Sequence, residues 1–224
     1  LAPGLVPAAR VRAEVLLGDE RGRAAAKVIE RTWQEQPHPD LVDPYLRARG
    51  AQTASDRYSR LKRLADRNSR HRESALALGR AALAAEEWRD ARKHLQAAAG
   101  DTPSEEVCRA FAELEERGGG DPEAARGWLR RAAEAPADPA WVCGSCGALA
   151  RSWSIMCGHC GSFDTLSWQA PPRAESAEPD ETLARLEGEP AAGHDGVEDA
   201  EATEVQPAAA GAGARAAAVE GRAS

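Results

Sequence analysis

Apolar residues recur at helical spacing through the middle of the chain. Sets at positions i, i+4 and i+7 lie on one face of a helix. Two such sets are Ala91, Leu95 and Ala98, followed by Val107, Phe111 and Leu114. Turn-forming residues separate the helical stretches, weakly at 85–86 and strongly in the Gly-rich run at 118–122. The pattern predicts pairs of helices joined by short turns.

The helical pattern repeats with a period of 34 residues. Ala91 corresponds to Ala125 and Leu95 to Leu129, and Leu61 lies one period before Leu95. Self-similarity at such a period is typical of stacked helical hairpins, none of which buries its apolar face alone. An ordinary helical bundle remains the alternative interpretation.

The segment 72–105 resembles a tetratricopeptide repeat. The residues that carry the resemblance are Leu78, Gly79, Trp88, Ala91, Leu95, Ala98 and Pro103. The match is partial in 106–139, loose in 6–39 and degenerate in 40–71. The resemblance implies an all-α fold over 1–139, a solenoid of three to four hairpins. Such a solenoid binds a protein or peptide segment on its concave face.

Charge divides the chain at about residue 171. Residues 171–224 hold 12 acidic and 4 basic side chains, whereas the rest holds 24 acidic and 25 basic. A tail without aromatic residues and rich in Ala, Gly, Pro and Glu is expected to be disordered. The nearly neutral body gives no electrostatic footprint for nucleic acid, and the basic run at 57–72 is interpreted as a solvated helix face. No stretch is long and apolar enough to span a bilayer, and no secretory signal is present.

Four cysteines carry the most specific signal. Cys143, Cys146, Cys157 and Cys160 follow the spacing C-x₂-C-x₁₀-C-x₂-C, with a glycine after each pair. Two such knuckles predict one tetrahedral metal site with four thiolate ligands. Zinc is favoured, and iron in a rubredoxin-like site uses the same ligands. Disulfides within each pair would be strained, and redox use of the pairs lacks the usual helical context.

The metal is expected to replace a core in residues 140–170, because about 30 residues are too few to fold on apolar burial. Residues 162–168 predict a closing strand. Aromatic and apolar residues are expected to cover the metal or pack on the last helix pair, which the module would cap: Trp141, Trp153, Phe163, Leu166 and Trp168. His159 is interpreted as facing solvent, and Cys108 as a small buried apolar residue.

Several segments together resemble HemY, an inner-membrane family linked to bacterial haem biosynthesis. The segments are 2–8, 38–41, 45–46 with Trp33 before them, and 131–141. The resemblance implies a non-enzymatic binding scaffold at the inner membrane. Membrane-spanning helices would precede this chain, which begins at Leu1 rather than Met. Reduced thiolates favour a cytoplasm-facing position.

Two alternative functions stay open. The cysteine spacing and the stretch at 162–166 are also similar to the rubredoxin-like ending of a membrane-anchored repeat protein that regulates lipopolysaccharide assembly. A haem or porphyrin carrier is the second alternative, with His38, His71 or His94 as candidate ligands. No phosphate loop, paired nucleophile and base, or open metal site points to an enzyme.

Overall fold

A computed structural model describes residues 5–171, in which eight α-helices precede three short β-strands. The tail at 171–224, predicted to be disordered, lies outside the described residues except for Pro171. The helices are α1 (Val6–Gly18), α2 (Gly22–Glu35), α3 (Val42–Ala48), α4 (Ala54–Ala65), α5 (Arg72–Ala84), α6 (Trp88–Ala99), α7 (Glu105–Arg117) and α8 (Pro122–Glu134). The strands are β1 (Ala140–Cys143), β2 (Leu149–Ala150) and β3 (Leu166–Gln169), and 3₁₀ turns lie at Pro39–Leu41 and Asp66–Asn68.

Local sequence explains where several helices begin and end. Thr53 and Asp56 form a reciprocal capping box at the start of α4. Asp121 accepts a hydrogen bond from the Glu123 amide at the start of α8, whose first residue is Pro122. Gly100 ends α6 with a φ of 52°, a conformation in which glycine is favoured.

The helices pack mainly with their neighbours in sequence. The pairs α1–α2, α5–α6 and α7–α8 are joined by short turns and pack along their lengths. The region 40–71 differs, since α3 has only seven residues and packs more on α2 than on α4, while α4 packs on α5. Three of the predicted helix pairs are therefore present, and the segment 40–71, which has the weakest sequence pattern, does not form a regular pair.

The predicted apolar faces form the core of the helical part. Ala91, Leu95 and Ala98 are fully buried, and the corresponding residues of α7 are buried as well. Leu129, which corresponds to Leu95 in the 34-residue period, is 47% exposed, whereas Leu95 is fully buried. Among the described residues no helix follows α8 to cover that face, and α8 buries the smaller Ala125 and Ala132.

Gly79 allows α5 and α6 to approach closely. A Cβ at this position would lie 2.7 Å from Leu95 Cδ2. We expect Gly79→Ala to lower the free energy of unfolding by about 1–3 kcal/mol, because Leu95 is fully buried and has little room to move. Urea denaturation followed by circular dichroism measures the change.

Gly127 on α8 is the matched control. A Cβ there meets only the Arg130 side chain, at 4.0 Å. Gly127→Ala should therefore stabilise the protein by about 0.5–1 kcal/mol through helix propensity. If both substitutions shift stability in the same direction, close approach at Gly79 is not the cause.

The three strands form an antiparallel sheet in the order β2-β1-β3. β1 and β3 pair Trp141 with Trp168 and Cys143 with Leu166. The predicted strand at 162–168 begins only at Leu166, since Asp164 has a φ of 50° that interrupts an extended chain. Across residues 5–171, every helix is too short or too polar to traverse a bilayer.

Candidate metal centre

The four cysteines of the predicted site come together in the structure. Their Sγ atoms all lie within 4.8 Å of one another. Cys143 Sγ is 3.8 Å from Cys160 Sγ, and Cys146 Sγ is 3.8 Å from Cys157 Sγ. A tetrahedron with metal–sulfur bonds of about 2.3 Å has sulfur–sulfur edges of about 3.8 Å. The cluster can therefore hold one metal ion, as the cysteine spacing predicts.

Each pair of cysteines lies in a tight backbone knuckle. The amides of Gly147 and Gly161 donate to the carbonyls of Cys143 and Cys157, both at 2.8 Å. The two glycines have φ values of 71° and 73°, which residues with a Cβ rarely adopt. The glycine after each pair is thus required by the turn that directs both thiols to one point.

Hydroxyl groups adjoin two of the four sulfurs. Thr165 Oγ1 lies 3.2 Å from Cys143 Sγ, and Ser162 Oγ lies 3.3 Å from Cys160 Sγ. The hydrogen bond with Thr165 lowers the pKa of Cys143 to about 6, and the one with Ser162 lowers the pKa of Cys160. Both hydroxyls favour the thiolate, which is the form that binds metal.

The close thiols shift one another's pKa unequally: they raise the pKa of Cys146 and contribute to lowering the pKa of Cys143 and of Cys160. Cys146 accepts a backbone hydrogen bond from Ala148, yet its pKa is raised to about 12 by the thiol of Cys160, by desolvation, and by the thiols of Cys143 and Cys157. Four thiolates at this separation need a cation between them. Because four sulfurs fill a tetrahedron, the donor set fits a structural ion rather than a catalytic one with an open position.

Apolar side chains from the sheet surround the buried sulfurs. Trp141 and Leu166 pack with Cys143 and Cys157, and Trp153 lies at the edge of this cluster. Phe163 was expected to join them, and this was wrong: it is 66% exposed. The turn at Asp164, which has a positive φ, separates Phe163 from the strand that carries Leu166.

The module does not cap the last helix pair, which corrects another prediction. Trp141 Nε1 donates to Asp40 Oδ2 at 3.0 Å, across 101 residues of sequence. The ring of His38 lies 4.2 Å from that of Trp168. A cavity of about 760 Å³ separates the tryptophans of the module from the first turns of α1. The sheet therefore faces the first helix pair and the turn before α3.

Residues 136–141, which we call the strap, connect the last helix pair to this distant position. The Glu105 amide donates to the Pro136 carbonyl at 3.0 Å, and the Glu106 amide donates to Asp138 at 2.6 Å. Arg72, at the start of α5, pairs with the same Asp138 at 3.1 Å. The Asp138 carboxylate thus lies at the N-termini of α7 and α5, where negative charge is favourable.

Asp138 is expected to stabilise the strap measurably. Asp138→Ala removes charged hydrogen bonds from Arg72 and from the Glu106 amide, and should lower the free energy of unfolding by about 1–3 kcal/mol. The exposed Asp101 provides the control, and Asp101→Ala should change stability by less than about 0.5 kcal/mol. Equal effects in urea denaturation would contradict the role given to Asp138.

The remaining candidate residues occupy separate positions. His38 and His71 accept hydrogen bonds through Nδ1 from the Asp40 and Glu73 amides, both at 3.1 Å, and His94 Nε2 is 3.3 Å from Tyr58 Oη. The structure does not place these histidines in a common site. His159 is exposed and Cys108 is buried, as predicted.

Sequence reasoning missed four polar residues around the module. They are Asp40, Asp138, Ser162 and Thr165. Ser162 follows Cys160 by two residues, so a search for hydroxyls beside the knuckles can find it. The other three depend on tertiary contacts and leave no local signal.

Comparison with known proteins gives one informative similarity. No family model matches the sequence. The chain is 35% identical over 168 residues to the probable magnetosome protein Mms48 of Magnetospirillum gryphiswaldense. This match covers 75% of the chain and 37% of the relative, so the chain spans little more than a third of the length of that protein. The similarity points away from HemY, and the assignment to that family from short segments was wrong.

Proposed function

We propose that this chain is a non-enzymatic scaffold that binds a segment of another protein. Its helix pairs would stack as a solenoid of the tetratricopeptide type. The close contact between Gly79 and Leu95 supports this arrangement, as does the packing of α5 against α4, α6 and α7. The proposed function depends on a groove lined mainly by α3 and α5, with further residues from α2, α4 and α7.

The groove is an open cavity of about 320 Å³, and it is the observation that carries the proposal. Most of its lining is apolar and comes from the stretch between α2 and α5. The apolar lining residues are Trp33, Pro39, Val42, Leu46, Leu61, Leu76, Ala77, Ala81 and Ala84. We call this surface the first-helix groove. Its volume suits a few apolar side chains of a bound segment rather than a large ligand.

Charged groups border the first-helix groove. Arg80 Nε pairs with Glu106 Oε1 at 2.6 Å, and Arg57 and Glu73 also line the cavity. Burial raises the pKa of Glu73, with Arg72 nearby acting in the opposite direction. An apolar centre with a charged border resembles the anatomy of protein interfaces, in which a few buried anchors supply most of the affinity.

The metal module would have a structural role in this scaffold. We propose zinc as the ion, with iron as the alternative that uses the same four sulfurs. A filled site would hold β1 in place and with it the contact between Trp141 and Asp40. Thiolate ligands also favour a reducing compartment such as the cytoplasm.

The similarity to a probable magnetosome protein suggests which partners to test first. The relative is named a probable magnetosome protein, and the aligned region includes most of this chain. Proteins from magnetosome preparations are therefore the first candidates for the bound segment.

A peptide library selected on the full chain tests the proposal. Ala77→Trp fills the first-helix groove and should weaken binding of the selected peptides by about tenfold or more, since it removes the space for a buried anchor. Ala97 is exposed on α6, outside the groove, so Ala97→Trp is the matched control and should bind as the native chain does. Equal binding to both variants, or the absence of any binder, would refute the proposed function.

A further inference from the structure

Basic residues concentrate on three helices, α4, α6 and α8. α4 holds four basic residues and one acidic residue, α6 three and one, and α8 three and two. α7 has the opposite balance, with two basic and five acidic residues. The uneven distribution makes the surface formed by α6 and α8 positive although the whole chain carries a formal charge of −7.

A groove runs along α6, bordered first by the end of α7 and then by Phe111 of α7 and by α8. It consists of two cavities of about 490 and 340 Å³ that share Arg92 and Gln96 in their walls. Arg89 and Lys93 line the first cavity, and Arg131 lines the second. We call this surface the α6–α8 groove, and it shares no lining residue with the first-helix groove.

Two cations of the α6–α8 groove have no ion pair within residues 5–171. Arg89 and Lys93 are exposed and lie in no salt bridge there, whereas Arg92 pairs with Glu115 at 2.8 Å. Asp101 is the acidic residue in the lining. The groove thus holds positive charge that its own side chains do not neutralise, which favours an anionic ligand.

The aromatic residues in the groove decide which anion fits. Trp128 stacks on Phe111 with ring centroids 4.4 Å apart, and Arg131 lies over the Trp128 ring at 5.3 Å. Trp88 carries Arg117 over its ring at 5.5 Å. Nucleobases bind by stacking on open aromatic faces, and the contacts of Trp128 with Phe111 and Arg131 leave fewer such faces in the groove. Carboxylates need only the guanidinium and ammonium groups at the rim.

We propose that the α6–α8 groove binds an acidic segment, rich in Glu or Asp, of a partner protein. The carboxylates of that segment pair with Arg89 and Lys93 and extend along the groove toward Arg131. Attraction of this kind is strong at low salt and falls as counterions screen the charges. The surface is separate from the groove of the proposed function, and either proposal can fail without the other.

Fluorescence anisotropy with a labelled deca-glutamate peptide tests the inference on the full chain. The double variant Arg89→Glu with Lys93→Glu should bind the peptide about tenfold or more weakly in about 50 mM salt. Arg23 and Lys27 are exposed on α2 and lie outside the groove, so Arg23→Glu with Lys27→Glu makes the same change of charge elsewhere. That control should bind within about twofold of the native chain, and about 500 mM salt should abolish binding to the native chain.

Three results would overturn the inference. The first is no binding of deca-glutamate to the native chain. The second is an equal loss of deca-glutamate affinity in the two double variants, which would indicate attraction by overall charge alone. The third is tighter binding of oligothymidylate or of phosphatidylglycerol vesicles, lost in the groove variant, which would identify nucleic acid or a lipid surface as the ligand. Circular dichroism shows that each variant is folded before its binding is compared.

Discussion

Replacing Cys143 and Cys146 together by serine is expected to abolish metal binding and unfold residues 140–170. The four sulfurs form one closed donor set, so two of them leave too few ligands. Structural zinc contributes about 10–16 kcal/mol of apparent binding free energy in small modules. The helices have their own core and should keep their circular dichroism.

Metal content and tryptophan emission measure this effect. The native chain should bind one equivalent of zinc, and the double variant none, with a red shift of emission as Trp141 and Trp168 meet water. Cys108→Ala is the control, because Cys108 lies on α7 outside the cluster and should leave zinc binding unchanged. Full metal content in the double variant would show that these cysteines are not ligands.

Trp33→Ala is expected to cause the largest loss of stability in the helical part. Trp33 is 1% exposed on α2, and its Nε1 donates to Ser74 Oγ on α5 at 2.9 Å. Removing so large a buried side chain costs about 3–5 kcal/mol. The total free energy of unfolding of a small domain is about 5–15 kcal/mol, so the variant should unfold at a much lower urea concentration than the native chain.

Trp33→Phe separates the two contributions of this side chain. The phenyl ring keeps most of the apolar volume but leaves the buried Ser74 hydroxyl without its donor, which should cost about 1–3 kcal/mol. Trp33→Phe should therefore be clearly more stable than Trp33→Ala. If Trp33→Ala shifts the urea midpoint by no more than Trp33→Phe does, burial of the indole is not what stabilises this contact.

The features that sequence predicted are those set by nearby residues. Ala91, Leu95 and Ala98 are one turn apart, so their shared face follows from helical geometry. The two cysteine knuckles each span four residues, and the glycine that follows each of them indicates the backbone turn. Metal geometry then links the knuckles to each other, and this is why the whole sulfur cluster could be anticipated.

The position of the module could not be predicted in the same way. Trp141 meets Asp40 across 101 residues, and neither residue belongs to a periodic pattern. Asp138 likewise stands alone in a Pro- and Ala-rich segment, although it contacts two helix N-termini. Such contacts depend on how complete elements pack, so proximity in sequence to α8 misleadingly suggested the last helix pair as the partner of the sheet.

The strap also changes how the row of helix pairs should unfold. In an open array each pair touches only its neighbours, and the end pairs fray independently. Here residues 136–141 cross the starts of α7 and α5 and reach Asp40 between α2 and α3, which joins the last helix pair to the segment that follows the first pair. The array should therefore melt in a single cooperative transition, with similar amide hydrogen exchange protection in α2 and α7.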